Sequence, residues 1–224
     1  RQVKNDESEA ALESQNRAIE YALFLALPAA AALMALSTPV VTVLFERGAF
    51  SPADARATAQ ALTAFATGLP AYVLVKVLAP GYFSREDTAT PIKIGVAAMV
   101  LNVVLNLILM TFLAHVGLAL ATSISAWFNA TLLAQGLKKR GHLALNSRLR
   151  RRVALMLLSS AGLAVALVFL ADGLAGPLAG SQTMRFAALA ALVVVGMVLY
   201  GGLAQVTGVT RVNVLWRSRG LNLE

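Results

Sequence analysis

The sequence predicts an all-α integral membrane protein with six transmembrane helices and both chain ends on the cytoplasmic side. Three observations carry that prediction. Of 224 residues, 58% are hydrophobic and only 13% are charged, with a mean hydropathy of +0.71; a soluble domain carries about 25% charged residues. The apolar residues are gathered into long runs, and about 20 in a row suffice to cross a hydrocarbon core of about 30 Å. The cations alternate by flank: 16 Lys and Arg fall on one set of alternate flanks, in groups of 3, 3, 7 and 3, and 3 fall on the other. Such a bias sets the cationic side toward the cytoplasm, so the net charge of +8 reads as topology.

The expected plan is a cytoplasmic connector over 1–20, four spans over 21–140, a basic loop over 141–152, a helix pair over 153–210 and a tail over 211–224. The first residue is Arg1, not Met, and no signal peptide follows. A fragment or a processed product is therefore expected. The connector is rich in Glu, Gln, Asn and Ser. The first span, Tyr21 to Phe45, carries no charge and contains Pro28 and Pro39. Proline frees a carbonyl and bends a spanning helix, so Pro28 is a candidate hinge. Gly48 is expected to cap the helix end. Ser51, Pro52 and Asp54 then have the order of an N-cap, a first-turn proline and an acid near the positive end of the dipole.

The second span runs from about Pro52 to Ala79. Gln60, Thr63 and Thr67 share one face, and Pro70 is a second candidate bend. Lys76 lies near its end. It either snorkels to the interface or presents a cation to a cavity that holds an anionic headgroup. Pro80 and Gly81 are expected to stop the helix. Arg85, Glu86 and Asp87 follow in a loop, with Thr90 as the next N-cap and Pro91 as the first helical residue before Lys93. The third span, Ile92 to Leu113, holds Asn102 and Asn106 one turn apart. At membrane depth these amides must face protein or water, through an interhelical hydrogen bond or a substrate. A very short turn at His115 and Gly117 makes the fourth span, Leu118 to Leu137, antiparallel to the third.

Lys138, Lys139, Arg140 and Gly141 close the fourth span as cations and a glycine C-cap. Arg148, Arg150, Arg151 and Arg152 precede the fifth, Val153 to Ala171. These seven cations are a positive-inside signal that could also hold anionic lipid headgroups. No aromatics interleave them, and no nucleic-acid partner is expected. The sixth span runs from about Arg185 to Val209, with Gly196, Gly201 and Gly202 permitting close approach or a groove. Trp216 is expected to anchor the interface.

No catalytic constellation is visible. There is no cysteine, two histidines lie far apart, and neither HExxH, GxSxG nor a phosphate-binding glycine loop occurs. An enzyme, a cofactor and a metal site are not expected, and a carrier or a scaffold fits better.

Two stretches sharpen this. "GLPAYVLVKVLAPGYFSREDTATPIKI" (Gly68 to Ile94) and "VLFERGAF" (Val43 to Phe50) resemble the MurJ/MviN family of lipid II flippases in the bacterial cytoplasmic membrane. The resemblance implies a two-lobed alternating-access transporter. Spans one to four would end its second lobe, and spans five and six would be an extra pair grooved for the polyprenyl tail. It implies lipid II and membrane lipids as partners, together with an N-terminal lobe that this sequence lacks, so the chain alone should not transport. Lys76 becomes a candidate headgroup contact, with Asn102 and Asn106 as further substrate-binding candidates. Arg85, Asp87, Thr90, Pro91 and Lys93 become a cytoplasmic hinge or gate, with bends near Pro28 and Pro70. The alternatives are an exporter of another lipid-linked saccharide or of a drug, and a non-transporting scaffold of cell-wall synthesis.

Overall fold

A computed structural model describes residues 2–144 and 146–206. The expected tail over 211–224, Trp216 and the end of the sixth span beyond residue 206 lie outside the described residues. Among the described residues every regular element is a helix. Five helical stretches are long and apolar enough to cross a membrane: Leu12–Ala35, Pro52–Phe83, Ala89–Lys139, Ser147–Gly173 and Gln182–Val206.

The first helix, α1 (Gln2–Ala35), is continuous from the polar connector into the apolar run. The connector is drawn into the fold by its last polar residues. Gln15 Nε2 donates to the Val77 carbonyl at 3.2 Å, and Asn16 Nδ2 donates to the Ala144 carbonyl at 2.9 Å. Ile19 and Leu23 then enter a core with Leu78, Tyr82, Leu133 and Leu137.

The interruption of this helix falls at Leu36, which separates α1 from α2 (Ser37–Phe45), and not at Pro28. Pro39 sits in the first turn of α2 and cannot donate to Ala35. Pro28 lies inside unbroken α1 for a reason visible in the partner of its orphan. The carbonyl that Pro28 leaves free, that of Phe24, accepts the Tyr200 hydroxyl at 3.0 Å, and the two rings lie 5.2 Å apart.

A capping box opens α3 (Pro52–Ala66), as the sequence predicts. Ser51 Oγ accepts from the Asp54 N–H, and Asp54 Oδ2 accepts from the Ser51 N–H. Thr63 reaches Ser37 on α2 at 2.9 Å, while Thr67 bonds back to Ala64 within its own turn and Gln60 stays exposed. The chain steps at Thr67–Gly68 into α4 (Leu69–Leu78), whose first turn holds Pro70. Carbonyls at this step are taken up from a neighbouring helix: Ser123 Oγ donates to Ala64 at 2.7 Å, and Trp127 Nε1 donates to Thr67 at 3.0 Å.

Helix α4 ends at Leu78, just before Pro80, as the sequence predicts. A further turn, α5 (Pro80–Phe83), follows, and Tyr82 within it is buried. Proline is tolerated there because it occupies a first turn, and Gly81 packs flat against Gln15 and Leu137. Thr90 is not the next N-cap. The helix α6 (Ala89–Lys139) starts two residues earlier after Thr88, and the Thr90 N–H is capped by Asp87 Oδ1 at 3.0 Å. Pro91 thus falls at the third helical position.

The 51 residues of α6 are a hairpin. Ala114 turns the chain with φ 47° and ψ −128°, a conformation that L-residues rarely adopt. Asn102 and Thr122, twenty positions apart, are bonded at 3.4 Å. In a straight helix that separation would be about 30 Å. Gly117 makes the reversal this tight: a Cβ there would sit 2.3 Å from the Leu109 carbonyl oxygen. The second arm ends in a Schellman motif. Gly141, at φ 72°, donates to Lys138, and His142 donates to Leu137.

Asn146 caps α7 (Ser147–Gly173) through the Leu149 N–H. This helix begins six residues before its apolar run, so the four arginines lie on its first two turns. It packs along α1, pinned by an ion pair between Arg152 and Glu20. A short turn, α8 (Ala175–Leu178), leads to α9 (Gln182–Val206), which packs on α7 and α2 around Leu163, Leu167, Leu192 and Tyr200.

Candidate functional site

The expected site residues fall into three separate places. The first is the end of α4. Lys76 is exposed there and makes no hydrogen bond or ion pair within the described residues. Tyr72, one turn earlier on α4, is also exposed, and its hydroxyl donates to the Thr122 carbonyl of α6 at 3.4 Å. The arrangement is one exposed ammonium, without a polar partner among the described residues, on a largely apolar stretch of α4. Chemically it can meet a single anionic group, and it makes no ion pair with an acid among the described residues.

The second place is the loop after α5. Here the structure gathers Arg85, Asp87, Thr90 and Pro91, and adds two residues that sequence reasoning did not assign. Arg140, at the far end of α6, donates to Asp87 Oδ2 at 2.5 Å and to Thr90 Oγ1 at 3.1 Å. Its guanidinium also lies 5.4 Å from the centre of the Tyr82 ring. Tyr82 in turn donates to the Leu133 carbonyl at 2.8 Å. Hydrogen bonding from Arg140, then from Thr90, holds the Asp87 carboxyl well below the usual carboxylate range. The same pair raises Arg140. Burial pushes the His142 imidazole down, and Arg85 and Arg140 add to this. Arg85 caps its own helix end, donating to Gly81 at 2.7 Å. Lys93 stays exposed and outside the knot. The signal available in the sequence was a pair of adjacent acids, Glu86 and Asp87, between Arg85 and Lys93. Which cation answered them depended on the hairpin returning Arg140 to the same membrane side.

The third place is between the hairpin arms. Asn106 Nδ2 donates to Asn102 Oδ1 at 3.0 Å, Asn102 Nδ2 donates to Thr122 Oγ1, and Thr122 donates to the Leu118 carbonyl at 2.8 Å. The chain of bonds leaves Asn106 Oδ1 buried without a partner. Lys76 belongs to none of this. Pro28 lies on α1, which contributes none of these side chains, and Pro70 marks the step that Ser123 and Trp127 cap. On α9, Gly196 is closed off by Leu167, whereas Gly201 and Gly202 face open space. Among the described residues no cluster of His, Cys, Asp and Glu is set to hold a metal.

Comparison with known proteins gives a consistent result. The family model described as "Lipid II flippase MurJ" matches residues 1–184. A "Probable lipid II flippase MurJ" of Rhizobium tropici is 37% identical over 220 residues, which are 97% of this chain and 41% of that protein. The protein of the same description from Vibrio cholerae is 40% identical over 191 residues, 85% of this chain and 36% of that one. A solved structure, "Lipid II flippase MurJ, inward closed conformation", superposes with a TM-score of 0.72 at 22% identity. It covers 91% of this chain and 40% of the other, and shows the fold alone. The chain spans about two fifths of the length of these relatives.

Proposed function

Because the chain belongs to the MurJ family of lipid II flippases, we propose that it is the C-terminal part of a protein that moves lipid II from the inner to the outer leaflet of the bacterial cytoplasmic membrane. The observation that carries the proposal beyond kinship is Lys76, an exposed cation without a polar partner among the described residues, on a largely apolar stretch of α4. That stretch is where an N-terminal lobe would close a cavity around the pyrophosphate. A sugar and peptide headgroup needs such a wet, cation-lined path, since crossing hydrocarbon would leave its polar groups unpaired.

In this reading the hairpin arms count as two spans, making six with both ends cytoplasmic. The 16-to-3 split of cations supports that topology. Asn102 bonds across the arms to Thr122, Asn106 steadies Asn102 from one turn away, and Asn106 Oδ1 is left for a substrate. The Asp87–Arg140–Thr90 knot ties the cytoplasmic ends of both hairpin arms to the end of α5. These elements then move as one body when the lobes rock, with the bends at Leu36 and Gly68 as the compliant points and Pro28 and Pro70 beside them. The polyprenyl tail lies along the open flank of α9 at Gly201 and Gly202. The chain acts as a carrier and not as an enzyme.

The test is depletion of the full-length protein in its native cells, with lipid II quantified in each leaflet. Accumulation in the inner leaflet, rescued by wild type but not by Lys76→Ala, is the expected result. Because Lys76 is exposed and makes no hydrogen bond or ion pair among the described residues, the variant should melt with wild type. An unchanged leaflet distribution on depletion would refute flipping and favour a scaffold. Full rescue by a stably folded Lys76→Ala would remove the lysine from the mechanism.

A further inference from the structure

The second arm of the α6 hairpin and α7 are consecutive in the chain and joined by a short loop, yet they do not pack on one another. Between them lies a groove of about 600 Å³. Its floor is apolar, formed by Ile19 and Leu23 of α1 and by Leu74 and Leu78 of α4. Its walls are the two flanking helices, and no residue of α9 lines it. At the loop end stand two cations, Lys138 on one wall and Arg150 on the other. Both are exposed, and neither makes an ion pair among the described residues.

Three features of this groove select its occupant. Its cations sit only at the loop end, the side that carries seven Lys and Arg between Lys138 and Arg152. Its floor carries no polar group that would need a hydrogen bond. Its length along α6, from Trp127 to Lys138, is eleven residues, or about 16 Å of helix. One leaflet of a hydrocarbon core of about 30 Å is about 15 Å deep. An apolar slot as deep as one leaflet, headed by two cations at the interface, is complementary to one acyl chain of an anionic lipid whose phosphate lies between Lys138 and Arg150.

We propose that this groove is a binding site for an anionic glycerophospholipid of the leaflet on the basic side. The bound lipid fills the gap between α6 and α7 and substitutes for the packing they lack. The site is separate from Lys76 and from the open flank of α9. The proposal requires only that the chain lies in a bilayer, so it stands or falls independently of flipping.

The experiment is native mass spectrometry of the intact full-length protein, released from detergent in the presence of palmitoyl-oleoyl phosphatidylglycerol or the matching phosphatidylcholine. Each cation near an anionic surface is worth about a fivefold gain in binding. One phosphatidylglycerol should therefore be retained about 25-fold better than phosphatidylcholine. The double variant Lys138→Gln/Arg150→Gln should bring the two lipids to near parity. A second variant, Ala154→Trp, keeps both cations and fills the slot, and it should lose the retained lipid while melting with wild type. Equal retention of both lipids by wild type would overturn the proposal, as would a preference that survives the double variant or the Trp plug. Stoichiometric displacement by undecaprenyl phosphate, abolished by Ala154→Trp, would also overturn it, by giving the groove to the substrate's tail. A groove covered by another part of the full-length protein would show no retained lipid and would overturn it too.

Discussion

Replacing Gly117 by alanine should open the α6 hairpin. The added Cβ would lie 2.3 Å from the Leu109 carbonyl oxygen, 2.5 Å from its carbon and 3.0 Å from its Cβ. Two of these are backbone atoms, which cannot rotate away. An ordinary contact begins near 3.4 Å, so the arms must part locally by about 1 Å. The Asn102–Thr122 bond, already 3.4 Å long, is then lost. Ser123, next to Thr122, shifts from the Ala64 carbonyl that it caps. Overpacking costs about 1–3 kcal/mol, and contact with rigid backbone places this site at the upper end. The better helix propensity of alanine offsets about 1 kcal/mol. The net expectation is a loss of about 2 kcal/mol. Gly95→Ala on the first arm is the control, because nothing lies within 4 Å of its new Cβ; it should be neutral or stabilising by up to about 1 kcal/mol. Thermal unfolding of the purified protein in one detergent compares the two. A Gly117→Ala variant that melts at or above wild type would refute the close approach, and with it the hairpin geometry.

Ala114→Gly should raise the melting temperature, because it relieves a strained conformation worth about 1–3 kcal/mol against a glycine cost of about 0.5–1 kcal/mol; a lowered melting temperature would count against the turn at Ala114. Tyr200→Phe keeps the ring against Phe24 but leaves the carbonyl freed by Pro28 unpaired, which should cost about 1–3 kcal/mol in the same assay. The Asp87 carboxyl titrates lower in the folded chain than its unfolded value of about 3.9, owing first to Arg140. Its contribution is therefore complete above that value and is lost as pH falls toward the folded one. Melting temperature should be level from neutral pH to about 5 and then drop more steeply in wild type than in Asp87→Asn; parallel profiles would show that the Arg140 pair adds nothing.

What was legible in the sequence was local. The Ser51–Asp54 capping box, the Gly141 cap, the short reversal near His115 and Gly117 and the apolar runs are all set by residues within one or two turns of each other. What was not legible was set by partners far along the chain. Proline frees a carbonyl wherever it stands, but whether the helix then bends depends on who takes that carbonyl. Tyr200 takes the one at Phe24, and α1 runs unbroken past Pro28. Gln15 takes Val77, in the last turn of α4, just before Pro80 opens α5. Ser123 and Trp127 take Ala64 and Thr67, and there the chain still steps. The same holds for the site. Lys76 stood out as a cation at the end of an apolar run, whereas Arg140 was hidden among seven cations of apparently equal standing, and only the returning hairpin arm singles it out.

The unbroken course of α1 has a mechanical consequence. Its 34 residues make a rod about 51 Å long, well over the depth of a hydrocarbon core of about 30 Å. Besides its packing along α7 and the Tyr200 bond at Phe24, three polar side chains hold it near one level, Gln15, Asn16 and Glu20. A rigid rod that tilts about that level moves as a seesaw. A tilt of about 5° displaces each end by about 2 Å in opposite directions, given the rise per residue of a helix. Force applied to the polar arm of α1 is thereby delivered, reversed in sense, to Leu36, the joint where the rod ends.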